Sequence, residues 1–175
     1  MSKLERGYVQ VYTGDGKGKT TAAFGLALRA VGKDLRVVIV QFMKADPSYG
    51  EIRAARRLGI DVVQAGLDHY VRKGEVTGDD LAAAARGFAK ARQLVMSGEY
   101  DLVILDELIT SLYFDLLPLA DVLALLREKP RSVELVLTGR RAPDEVVAAA
   151  DLVTEMRAVK HYYDAGVLAR EGIEY

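Results

Sequence analysis

The chain has 175 residues, half of them hydrophobic, and a formal net charge of -1. That length fits one domain able to bury roughly 70% of its unfolded surface. With no cysteine and only two histidines, disulfide scaffolds, thiolate chemistry and Cys-ligated metals are excluded. The near-zero, interspersed charge argues against nucleic acid as the main partner. The start Met1-Ser2-Lys3-Leu4-Glu5-Arg6 lacks an apolar signal core, and no apolar run approaches 18 residues, so a soluble, cytoplasmic protein without a membrane partner is expected.

In chain order, the first element is an apolar strand over residues 8–12. Next comes Thr13-Gly14-Asp15-Gly16-Lys17-Gly18-Lys19-Thr20-Thr21, and then an alanine-rich helix that begins near Lys19 and carries Arg29. Strand, glycine-rich loop and helix make the context of a phosphate-binding loop. The glycines let successive N–H groups curl toward an anion, and the helix adds its positive dipole end. Lys19 supplies a full charge and Thr20 a hydroxyl suited to Mg²⁺. The match to G-x-x-x-x-G-K-[ST] is complete except that Thr13 stands at the first glycine.

Residues 36–42 form a buried strand, residues 50–58 a short basic helix, and residues 60–64 a third strand. Arg53, Arg56 and Arg57 read as a solvated helix face. Residues 65–78 form a long polar loop that holds Asp68, His69, Tyr70, Arg72 and Lys73, and loops of this length are commonly functional. Thr77 and Asp80 make a capping box. They open a helix with Leu81, Ala84, Ala85, Phe88, Ala91 and Val95 on its buried face, stopped at Gly98. A strand over residues 102–105, a helix over 119–128 closed by Pro130, a strand over 133–138, a helix from Pro143 to about residue 150 and a strand over 152–156 complete the order. Alternating strands and helices predict an α/β fold with a mostly parallel sheet and helices on both faces, a single domain over residues 1–175.

In such sheets, ligands bind outside the carboxyl ends of the strands. The 102–105 strand ends in Asp106 and Glu107, on the rim from which the phosphate loop leaves. Mg²⁺ uses one or two carboxylates, so this pair with Thr20 suffices; the alternative is two acids ending a strand in solvent. Gly139-Arg140-Arg141 ends another strand on that rim, and Lys44 follows the 36–42 strand. Each cation is either a phosphate contact or a solvated surface charge. His69 and His161 are assigned no catalytic role from spacing.

The motifs T-G-D-G-K-G-K-T-T-A-A, V-Q-F-M-K, D-L-V-I-L-D-E-L, L-T-G-R, A-D-L-V-T-E-M and the closing K-H-Y-Y-D-A-G-V-L-A-R-E-G-I-E-Y resemble the ATP:cob(I)alamin adenosyltransferases of the cobalamin-biosynthesis type. The closing block separates this family from other P-loop proteins. The resemblance implies a RecA-like P-loop NTPase fold, Mg²⁺ (or Mn²⁺ in its place), a homodimer and a reductase partner. It also implies transfer of the 5′-deoxyadenosyl group of ATP to the Co(I) centre of a reduced corrinoid, with release of triphosphate. By position, Gly14, Asp15, Gly16, Lys17, Gly18, Lys19, Thr20 and Thr21 would wrap the triphosphate. Thr20 and Glu107 would hold Mg²⁺, and Arg29 and Arg140 would lie near the phosphates. The family also binds ATP reversed in its loop, presenting C5′ to the nucleophile.

Co(I) is itself a strong nucleophile, so no side-chain nucleophile or general base is needed. The protein must hold C5′ in line with cobalt and stabilise the leaving triphosphate. Two departures from the family stand out. Where many members carry a Gly-Phe-Thr-Trp-like segment that displaces the lower cobalt ligand, this chain has Gly66-Leu67-Asp68-His69-Tyr70. Leu67 takes the place of the Phe, and His69 or Tyr70 that of the Trp. Only about seven residues precede the first strand, little material for the N-terminal segment that covers the site in some relatives. The alternatives are a P-loop ATPase or kinase that cuts at the γ-phosphate, and a non-catalytic, nucleotide-dependent corrinoid-binding module.

Overall fold

A computed structural model describes residues 4–69 and 71–175. Six strands form one sheet: β1 (Val9–Thr13), β2 (Val37–Phe42), β3 (Asp61–Ala65), β4 (Leu102–Asp106), β5 (Glu134–Thr138) and β6 (Leu152–Glu155). The order is β3-β2-β4-β5-β1-β6, and every pairing is parallel. Helices α1 (Lys19–Val31), α2 (Gly50–Arg57), α3 (Gly78–Met96), α4 (Leu108–Tyr113), α5 (Leu119–Glu128) and α6 (Asp144–Ala149) connect them, and a 3₁₀ turn (Tyr162–Ala165) follows β6. The architecture is the expected α/β fold, with a parallel sheet covered on both faces.

Strand alternation assigns the two faces. Val37 and Ile39 of β2, Leu102 and Ile104 of β4 and Val136 of β5 pack on Ala23, Ala27 and Ala30 of α1 and Ala55 of α2. The neighbouring residues Val38, Val40, Val103, Leu105, Leu135 and Leu137 point the other way, onto α3, α4, α5 and α6. Both faces are therefore dry, so β2, β4 and β5 are apolar on both faces up to their carboxyl ends, where Gln41, Asp106 and Thr138 stand. Each fully buried aliphatic side chain contributes about 1.5–3 kcal/mol.

Two details differ from expectation, in α3 and α4. Helix α3 buries Ala83, Ala84, Gly87, Ala91, Leu94 and Val95, whereas Leu81 and Ala85 are exposed. The helix is rotated because Gly87 lies against the sheet: a Cβ there would meet Ala65 Cβ at 2.3 Å. An alanine-rich helix presents nearly equal faces, and this close approach selects among them. Helix α4 carried no sequence signal; its six residues are too short for periodicity to register. The expected last strand, β6, lies at the sheet edge with its four residues exposed. The capping box is as read: Thr77 Oγ1 accepts from Asp80 N–H while Asp80 accepts from Thr77 N–H.

Candidate active site

The phosphate loop joins β1 to α1 at the carboxyl edge of the sheet. Its shape depends on close backbone packing against the segment after β6. Gly14 sits at φ +99, and a Cβ there would lie 2.4 Å from Met156 O. Gly16 N–H donates to that same oxygen at 2.7 Å. Gly18, at φ +119, turns the chain into α1. Thr13 is the last residue of β1, and its hydroxyl accepts from Ala142 N–H at 3.2 Å. A side chain at this position therefore ties β1 to the loop after β5, which accounts for the missing first glycine. Lys19 is buried, its Nζ donating to Gly16 O at 2.7 Å. Burial pushes its pKa down.

Asp106 is fully buried beneath this loop. Its Oδ1 accepts from Thr20 Oγ1 at 2.8 Å and Thr138 Oγ1 at 2.7 Å. Its Oδ2 accepts from Gln41 Nε2 at 3.1 Å and Lys44 Nζ at 3.0 Å. Burial alone would raise its pKa, but the Lys44 ammonium and the hydroxyl donors hold it below the usual carboxylate range. Burial likewise opposes the charge on Lys44, but Asp106 and Glu107 outweigh it and raise the Lys44 pKa. The next residue, Glu107, is left-handed at φ +61, a conformation costly for a side chain with a Cβ. Thr138 Oγ1 accepts from Glu107 N–H at 2.9 Å, and Thr110 Oγ1 donates to the Glu107 carboxylate. Strand β4 thus delivers one carboxylate inward and the next toward solvent.

Two cavities adjoin. One, of about 520 Å³, is lined by the phosphate loop, Phe24, the start of α2, Arg140, His161 and residues 172–175. The other, of about 360 Å³, is lined by Met43, Tyr49, Leu67, His69 and Thr110 among others. Lys44 and Glu107 line both. The cleft along the glycine-rich loop therefore opens, across one cation and one carboxylate, on a second, more apolar chamber.

A family model described as "ATP:corrinoid adenosyltransferase BtuR/CobO/CobP" matches residues 5–175. The chain belongs to this family. Among its relatives, the corrinoid adenosyltransferase of Escherichia coli (strain K12) is 40% identical over 173 residues, which cover 98% of this chain and 87% of that protein. Corrinoid adenosyltransferase CobA of Salmonella typhimurium (strain LT2) is 39% identical, covering 100% of this chain and 89% of its own length. The corrinoid adenosyltransferase of Pseudomonas aeruginosa is 38% identical, covering 100% and 87%.

In this member of the adenosyltransferase family, most residues singled out from the sequence converge. Gly16, Lys17, Gly18, Lys19, Thr20 and Thr21 line the larger cavity with Lys44, Glu107 and Arg140. Gly14 underlies the loop, and Asp15 is exposed beside it. Arg29 is not brought there: it lies in the last turn of α1, ten residues or about 15 Å along the helix from Lys19. Asp106 stands behind Thr20, without reaching the cavity wall. Leu67 and His69 do meet at the second cavity, and His69 Nε2 lies 3.0 Å from Asp80 Oδ1. Tyr70, the alternative to His69, falls outside the described residues. Sequence reasoning gave no role to Gln41, Thr138 or Thr110: Gln41 and Thr138 fall inside quoted motifs but reach Asp106 only through pairing across the sheet, and Thr110 reaches Glu107 from α4. It also gave no role to Tyr49 or to the closing residues 172–175, although the latter were quoted as a family block.

Proposed function

We propose that the chain transfers the 5′-deoxyadenosyl group of ATP to the Co(I) centre of a reduced corrinoid. The observation that carries this reading is the shared wall of Lys44 and Glu107 between the phosphate-loop cavity and the second chamber. Two substrates held on either side meet there. The cobalt electron pair attacks C5′, the cobalt–carbon bond forms, and the C5′–O bond breaks. Its electrons leave on the triphosphate, so the chain need supply only alignment and compensating charge.

In this reading residues 14–21 wrap the triphosphate, with Lys19, Arg140 and Lys44 as its cations. Mg²⁺, or Mn²⁺, fits the donor set. Among the described residues no cluster of three or more His, Asp or Glu side chains forms a metal cage. An ion held by one or two protein oxygens and substrate phosphates needs none. Thr20 and Glu107 would be its protein ligands. Asp106, with both oxygens occupied, takes the Thr20 hydroxyl hydrogen bond and leaves that oxygen's lone pairs for the cavity. Bound metal would contribute several kcal/mol of charge stabilisation to the leaving group.

Leu67 and His69 would pack beneath the corrinoid and disfavour its lower ligand. The exposed apolar residues Leu152, Val153, Val159 and Leu168 on the sheet edge and tail support a homodimer. A reductase supplies the electrons, and the single domain works in the cytoplasm. No described helix is long and apolar enough to cross a membrane. Anaerobic incubation with ATP, Mg²⁺ and chemically reduced cobalamin tests the reading. A light-sensitive alkylcobalt spectrum is expected; a spectrum unchanged by enzyme would overturn it.

A further inference from the structure

A phosphate loop is expected to aim its cations at phosphate, but Lys17 is otherwise engaged. Its Nζ donates to Ile173 O and to Glu174 Oε1, each at 2.9 Å. Glu174 in turn gathers the chain end around itself. It accepts from Tyr162 OH, from Arg170 N–H at 2.7 Å, and from Arg170 Nε and Nη2 at 3.2 and 3.3 Å. Arg170 also lies over the Tyr162 ring at 5.1 Å. An isolated exposed ion pair holds little, whereas this carboxylate is shared among two cations, a phenol and a main-chain N–H. The segment it organises, residues 172–175, lines the nucleotide cavity together with the loop. Tyr175 contacts the ring of Tyr49 at 5.8 Å, and Tyr49 lines the second chamber.

We propose that residues 170–175 are a wall of the nucleotide pocket clamped to the phosphate loop by Glu174, and that Lys17 serves ATP through this wall instead of as a phosphate ligand. Glu174 is then a positioning residue: its carboxylate is taken up by Lys17, Arg170 and Tyr162, and it fixes the segment that lines the cavity. The proposal rests on the nucleotide reading of the cavity and not on the adenosyl chemistry.

The test is a double-mutant cycle on MgATP binding, read by calorimetry without corrinoid. Glu174→Gln and Lys17→Met should each weaken binding about tenfold, the scale of one charge-assisted hydrogen bond. The double variant should be no weaker than either single one. Tyr162→Phe, which removes a donor from Glu174 without touching the loop, should weaken binding in the same direction. Melting temperature should stay at the wild-type value. Multiplying effects in the double variant, or tight binding by Glu174→Gln, would overturn the proposal. If wild-type protein binds MgATP but makes no adenosylated product, the proposed reaction fails while the cycle still decides the role of the wall.

Discussion

The hydroxyl of Thr20 donates to Asp106 Oδ1 at 2.8 Å, and Thr138 donates to the same oxygen at 2.7 Å. This fixes the rotor of a residue in the first turn of α1, with its proton turned inward and its lone pairs turned to the cavity. Thr20→Ser keeps that arrangement and should leave the Mg²⁺ requirement nearly unchanged. Thr20→Ala should raise the Mg²⁺ concentration for half-maximal activity about 10–100-fold, the range seen when a metal ligand's support is lost. An Mg²⁺ titration of both variants checks this, and coincident curves would contradict it.

The Asp106–Lys44 pair should also shape stability against pH. The folded pKa of Asp106 is depressed, so its contribution is present above the unfolded value of about 3.9 and is lost as pH falls below it. The folded pKa of Lys44 is raised. Its contribution is present below about 10.4 and is lost as pH climbs through the folded value. Denaturant unfolding from about pH 5 to pH 2.5 should be less pH-dependent in Asp106→Asn than in wild type. Parallel curves would rule the effect out.

Lys44 stands where the two cavities meet, so its loss should fall on the chemical step. Lys44→Met should lower kcat by about 10²–10³, as for other preorganised groups facing developing charge, with a smaller change in KM for ATP. It also strands a buried carboxylate, at about 3 kcal/mol of stability, so activity is to be measured well below the variant's melting temperature. Lys44→Arg should recover part of kcat. Equal turnover by Met and Arg variants would assign Lys44 a structural role alone.

Leu67 and His69 line the second chamber. Replacing both with Ala should slow reaction with complete cobalamin more than reaction with a corrinoid lacking the lower nucleotide base. Paired rate measurements on the two corrinoids decide it: equal losses would remove the ligand-displacing role.

Much of this site was legible because its signals are local. The glycine spacing around Lys19, the apolar run ending at Asp106 and the capping box at Thr77 each lie within a few residues of chain. What stayed hidden is set by contacts distant in sequence. Gln41 and Thr138 matter because parallel pairing brings β2 and β5 beside β4. The partner of Lys17 lies 157 residues away. The rotation of α3 follows from Gly87 meeting Ala65, which no hydrophobic period encodes. Arg29 fell on the far end of α1, a placement that helix length alone anticipates.

Phosphorus NMR of the spent nucleotide tests the central claim most directly, because it reports which bond of ATP was cut. Attack at C5′ predicts inorganic triphosphate in one-to-one ratio with adenosylated corrinoid. ADP and orthophosphate, with no triphosphate and no adenosylated product, would contradict the account.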